Sequence, residues 1–284
     1  MARHPAIATL AEQLLGGAVA ATAPVAGGDI CTTTRLRLAN GTSALIKTRP
    51  GAPKGFFAAE AAGLRWLGEQ DSVLTPGVLA VSDTCLILEW VEPTRPTADL
   101  AADFGRRLAR MHLQGAAGFG ADRDGFIGIL PLPNKPAANW LEFYAVRRVL
   151  PYLKLAADRG NITIEDASVI ERSISRFTTA AGPEEPISRI HGDLWAGNLV
   201  WGSEQVVLID PAAHGGHRET DLALLALFGA PFLERIQEGY QEVSPLAEGW
   251  EERQGLHQLH PLLVHAALFG GEYGARAARL AQRL

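Results

Sequence analysis

Apolar and polar residues are spaced differently in the two halves of this chain. Thr32 to Leu38 alternates apolar with polar side chains, and Ser43 to Thr48 does so again, the period of strands with one buried face. Asn40-Gly41 lies between them and predicts a hairpin, because both residues tolerate the positive φ of a type I′ turn. Phe56 to Gln70 is rich in helix formers, with Phe57, Leu64 and Leu67 near helical spacing. Thr84 to Val91 is a continuous apolar strand that stops at Glu92-Pro93. The N-terminal residues 1–17 read as an amphipathic helix.

Beyond Thr97 the period becomes helical. Asp99 is the expected cap of a helix whose Leu100, Phe104, Leu108 and Met111 form one buried stripe. Asn139 to Asp158 reads as a helix bent at Pro151, and Thr163-x-x-Asp166 as a capping box opening another. Arg189–His191 and Val206–Ile209 read as short strands flanking a polar loop. Helices fill the remainder, broken at Pro231, Ser244-Pro245 and Gly270-Gly271. The expected architecture is therefore α+β and two-lobed in the manner of protein kinases. A small antiparallel β-sheet lobe spans residues 1–92, a hinge lies around 89–97 with its prolines, and a larger mainly helical lobe spans 98–284.

Composition narrows the function classes. Of 284 residues 47% are hydrophobic and 20% charged, an ordinary globular balance, and the net charge of −5 disfavours a nucleic-acid binder. No apolar run approaches the roughly 20 residues that span a bilayer. Cys31 and Cys85 make no disulfide framework, so a cytoplasmic protein is expected.

The chemistry concentrates in His191-Gly-Asp193-Leu-Trp195-Ala-Gly-Asn198 and in Val206-Val-Leu-Ile-Asp210. A carboxylate for a hydroxyl proton, an Asn five residues on and a second Asp at a strand end are the parts that phosphoryl transfer from ATP requires. Asp193 is the expected base, and Asn198 and Asp210 the expected Mg²⁺ ligands. Singly, each could merely cap a turn; jointly, they point to a kinase. The first lobe adds Lys47 at the end of a strand, with Glu60 on the next helix as its ion-pair partner for holding nucleotide phosphates. The Gly27-Gly28 loop would cover the phosphates, and backbone groups of Glu89 to Val91 would receive the adenine. A catalytically silent binding module is disfavoured by the intact Lys47, Asp193, Asn198 and Asp210.

HGDLWAGN followed by LIDPAAHGGHRETDLALLALFG resembles the fructosamine kinase (ketosamine 3-kinase) family, a branch of the aminoglycoside-phosphotransferase-like kinases. The resemblance runs through GGDI, FFAAEAAGLRWL, FGRRLARMH, the PLPN…NWLEFYAVRR segment and GYQEVSPL. It implies ATP-dependent phosphorylation of the 3-hydroxyl of a ketosamine, on a small molecule or a protein, whose unstable product frees the amine. It also implies that Trp195 lines the sugar pocket. The family commonly reads P-x-P-N-T-W where this chain has Pro131-Leu-Pro-Asn134-Lys135-Pro136, a departure bearing on sugar preference. The alternative is a kinase for another small hydroxylated amine, of aminoglycoside, choline or homoserine type.

Other residues carry plainer readings. His214, His217 and Glu219 lack a third ligand at a sensible spacing, so no zinc site is expected. Asp221 is expected to bind backbone amides of the catalytic loop, and His191 to orient that loop by hydrogen bonding. Cys31 is read as an unreactive small side chain.

Overall fold

The computed structural model describes residues 4–26, 30–69 and 73–284. Helix α1 (Pro5–Leu15) precedes β1 (Val19–Pro24), β2 (Thr32–Leu38) and β3 (Ser43–Thr48); α2 (Phe56–Leu67) is followed by β4 (Val78–Val81) and β5 (Cys85–Glu89). These strands form an antiparallel sheet in the order β1-β2-β3-β5-β4. Strict alternation gives it two apolar faces. Leu36, Ala44, Ile46, Cys85 and Ile87 pack on Ala8 and Ala11 of α1. Leu86 and Leu88 pack on Phe56, Phe57, Ala61 and Leu64 of α2.

The β2–β3 hairpin forms as the alternation demands, but its turn is not type I′. Gly41 alone takes a positive φ, of 89°. Its N–H bonds to Leu38 O, and Asn40 instead accepts the Thr42 N–H on its side chain. An ordinary turn closed by a left-handed glycine is the three-residue alternative for such loops.

The larger lobe begins with α3 (Ala98–Leu113). Its N-cap is Thr97, whose hydroxyl accepts the Leu100 N–H at 3.3 Å. Asp99 lies inside the first turn, where its charge still suits the helix dipole but caps nothing. The hairpin β6 (Gly125–Ile127) and β7 (Leu130–Leu132) leads to α4 (Trp140–Phe143). The stretch expected to bend at Pro151 is interrupted earlier, by a π-helical segment over Tyr144–Val149; Pro151 then sits in the first turn of α5 (Leu150–Asp158). The wider turn lets the chain enter α5 where proline has no N–H to give. Helix α6 (Ile164–Ser173) opens on Thr163, which accepts the Asp166 N–H as its capping pattern requires.

Short α7 (Phe177–Ala180) leads to β8 (Ser188–Ile190), β9 (Leu199–Trp201), β10 (Val206–Leu208) and β11 (His214–Gly216), paired β8 with β11 and β9 with β10. Then come α8 (Glu219–Phe228), α9 (Leu233–Val243), α10 (Trp250–Phe269) and α11 (Tyr273–Arg283). Helices α3 and α9 cross so closely that a Cβ on Gly105 would lie 2.0 Å from Ile236 O, and one on Gly239 2.1 Å from Ala102 O. Among the described residues no helix is long and apolar enough to cross a membrane.

Candidate active site

The peptide segment after β5 leads from the sheet to the helical lobe, and Thr94 pins it by donating its N–H to Trp201 O at 2.6 Å. Lys47, on the last turn of the pleat in β3, is buried beneath the sheet. Its Nζ lies 2.7 Å from Glu60 Oε1 on α2, and it also bonds Asp210 Oδ1, 163 positions away on the far side of the cleft. Burial works against the Lys47 charge, but the two carboxylates outweigh it and its pKa is raised. Burial pushes Glu60 up to about 7 despite the lysine. Asp210 is also penalised by burial, yet Lys47 holds it below the usual carboxylate range. Asp210 adopts φ 54°, a left-handed conformation rare outside glycine, asparagine and aspartate.

The loop between β8 and β9 carries the other candidates. Asp193 is half-buried, and burial with the nearby Asp210 charge raises its pKa to about 7. Asn198 closes a single 3₁₀ turn and donates Nδ2 to the Asp193 carbonyl at 2.8 Å and to its Oδ2 at 3.3 Å. That orientation points its amide oxygen the other way. Asn198 N–H is in turn fixed by Trp195 O, and Asn198 O by the Ile209 N–H. The Asn198 amide oxygen and the Asp210 carboxylate are hard donors of the kind Mg²⁺ takes, so this pair fits a hard divalent cation.

The loop is braced from below. Asp221, fully buried at the start of α8, accepts the His191 N–H at 2.7 Å and the Gly192 N–H at 2.9 Å. His191 itself bonds Ile209 O through Nε2, and its Nδ1 accepts the Asp193 N–H; burial keeps the ring neutral by lowering its pKa. It orients rather than titrates. Trp195 is 37% exposed and meets Phe228 edge-on, so it is not core packing. A Cβ on Gly197 would lie 2.2 Å from the indole, and only glycine there lets the ring lie over the loop.

Gly27 and Gly28 lie outside the described residues. Glu89 bonds Gly77 O through its N–H, and Val91 lies near Gly202. Cys31 and Cys85 are free and buried, and burial raises the Cys31 thiol pKa. His217 and Glu219 do acquire a third neighbour, His257 of α10, within 4.8 Å. Both Glu219 oxygens are, however, taken by Arg253 at 2.6 and 3.0 Å, which makes the cluster an ion-pair network.

Arg148 was not anticipated. Fully buried on the π-helical segment, it donates to Pro133 O and to Asn134 Oδ1 at 2.6 Å each and lies 4.5 Å over Phe143. It thereby fixes the loop around Lys135. Burial pulls it down to about 10, leaving it charged at neutral pH. Nothing local signals this role, since its partners are 14 and 15 positions away.

His214, His217, His257 and His260 are all buried with lowered pKa, His260 to about 3 through burial and the Arg148 charge. The unfolded chain takes their protons below about pH 6.5, whereas the folded protein takes them only at lower pH. Acidification therefore favours unfolding, by up to about 1.4 kcal/mol per pH unit per histidine. Denaturant unfolding followed from pH 7 to 5 should show falling stability, and His260→Gln should flatten the slope. A profile flat over that range would contradict the neutral buried histidines.

A two-lobed α+β fold with a lysine, two aspartates and an asparagine gathered at one cleft defines a small-molecule kinase of the protein-kinase-like class. Comparison with known proteins supports and refines that class. A family model described as fructosamine kinase matches residues 3–284. A probable ketoamine kinase of Escherichia coli K12, YniA, is 34% identical over 280 residues, 97% of this chain and 96% of the relative. A crystal structure from Thermobifida fusca, provisionally named a fructosamine-3-kinase, superposes with a TM-score of 0.93 at 48% identity, covering 99% of this chain and 98% of that one. The chain belongs to the fructosamine kinase family. At 14% identity the gentamicin complex of APH(2″)-IIa shares the fold alone, with a TM-score of 0.67 over 100% of this chain and 99% of that one.

Proposed function

We propose that the protein phosphorylates the 3-hydroxyl of ketosamines, fructosamine or ribulosamine adducts of amines, with ATP and Mg²⁺, and so takes part in deglycation. The observation that supports this reading is the meeting of Lys47 with Asp210 across the cleft, beside the Asp193–Asn198 loop, in a chain of this family. Asp193 accepts the proton of the 3-hydroxyl as that oxygen bonds to the γ-phosphorus and the bond to ADP breaks. Its raised pKa suits a group that must hold a proton near neutrality. Asn198 and Asp210 hold the divalent cation, which when bound neutralises phosphate charge. Lys47, kept in place by Glu60, releases Asp210 to that cation and turns to the phosphates. Trp195 offers an aromatic face to the apolar side of the sugar ring. Glu89 to Val91 present backbone groups to the adenine.

A screen of ATP consumption with fructoselysine and ribuloselysine, beside kanamycin and choline, tests the acceptor. Turnover of the ketosamines, with phosphorus NMR placing phosphate on C3 and free lysine appearing afterwards, is the expected result. Turnover of kanamycin or choline alone would replace this reading with that of another amine-bearing alcohol.

A further inference from the structure

Strand β2 sends Thr34 and Leu36 into the core, Leu36 against α1, and alternation sends Thr33, Arg35 and Arg37 to the opposite face. The register says what that face is. Thr33 pairs with Lys47 and Arg35 with Leu45, and Lys47 and Leu45 pair in turn with Leu86 and Leu88 of β5. Directly opposed residues share a face. Arg35 therefore lies on the surface that carries Lys47, one pleat repeat nearer to the segment joining the lobes.

Its side chain is held there. The guanidinium lies 4.4 Å over the Trp90 ring, and its Nη2 is 2.9 Å from Glu92 Oε2. Trp90 donates Nε1 to the same Glu92 oxygen at 2.8 Å, so one carboxylate locks both planes. Trp90 and Glu92 belong to the segment that leaves β5, and the Trp90 N–H is tied to Ser43 O of β3. About a third of the arginine side chain, 30%, remains accessible. The result is a flat, cationic, pre-positioned surface on the cleft side of the sheet, between Lys47 and the rim.

Resting on the kinase reading above, we propose that Arg35 is a nucleotide-binding residue whose clamped guanidinium forms the roof on which the base of ATP stacks. A guanidinium is planar, weakly hydrated and stacks flat on aromatic faces, whereas an ammonium is a compact, strongly hydrated point charge with no plane to stack. The rival explanation is that Arg35 merely pairs with Glu92 to steady the linker, a contact worth little at an exposed site. Charge and planarity separate the two: Arg35→Lys keeps the ion pair and loses the plane, and Arg35→Phe keeps the plane and loses the pair.

Calorimetric binding of ADP, with no acceptor present, decides between them. Arg35→Ala should weaken binding by about three- to thirtyfold. Arg35→Phe should recover most of that loss and Arg35→Lys little of it. Thermal unfolding of each variant confirms that a folded protein is titrated. The inference is overturned if Arg35→Ala binds ADP like the wild type, or if Arg35→Lys restores affinity while Arg35→Phe does not. A wild type that binds ADP with the predicted variant pattern yet fails on ketosamines would sink the acceptor assignment alone. A wild type that binds no ADP would overturn both.

Discussion

Asp193→Asn should lower kcat by ~10²–10⁴ while leaving the folded protein and its nucleotide affinity nearly intact, the usual range for loss of a positioned acid–base group. The substitution keeps the side-chain shape and removes the charge, and with it the ability to take a proton. The loop does not depend on the lost charge. Asn198 still donates to the Asp193 backbone carbonyl at 2.8 Å, its shorter contact, and the backbone N–H of residue 193 still bonds His191. Removing a carboxylate whose pKa burial and Asp210 have pushed up to about 7 also relieves a repulsion. Thermal stability should therefore stay level or rise. Single-turnover phosphorylation and a thermal scan on the same preparation check both halves. A rate within a few-fold of wild type would remove Asp193 from the role of base, whatever the stability.

The parts of this site that could be read in the sequence are those whose geometry is set by neighbours in the chain. Asp193 and Asn198 lie five positions apart, within one turn-sized loop, and Asp210 follows the strand that pairs back on the one leaving that loop. Lys47 and Glu60 are thirteen apart, on a strand and the helix after it, and their contact follows from that local order. The alternating runs of β2 and β3 fixed their faces because a one-residue slip would expose every core residue. What stayed hidden depends on partners with no sequence period. Arg148 becomes legible only once Pro133 and Asn134 fold back on it, and Arg253 only beside Glu219, 34 positions earlier. The close passage of α3 and α9 rests on Gly105 and Gly239, which in the sequence look like helix weaknesses. The cap of α3 was misplaced by two residues because Thr97 and Asp99 are both good cap formers, and local pattern does not rank them.

The second large effect falls on stability. Asp221→Ala should destabilise the protein by about 3–5 kcal/mol, the cost of breaking a buried charged network by removing one partner. Asp221 is fully buried and accepts from the His191 N–H, the Gly192 N–H and His112 Nε2, the last at 3.1 Å. Burial disfavours its charge, but the bond from His112 and the neighbouring donors hold its pKa below the ordinary value. Alanine would leave these backbone donors orphaned in the interior, each such group costing about 1–3 kcal/mol. Asp221→Asn keeps one acceptor oxygen and should fall between alanine and wild type. For a chain of this size the alanine variant should melt roughly 6–20 °C lower. Its catalytic rate should fall as well, since the loop that aims Asp193 loses its anchor. The two aspartates are thus separable by experiment: one variant keeps its melting temperature and loses turnover, the other loses both. An Asp221→Ala protein as stable as the wild type would mean that the loop is held by its other contacts, those of His191 and Asn198 with Ile209 and of Asn198 with Asp193.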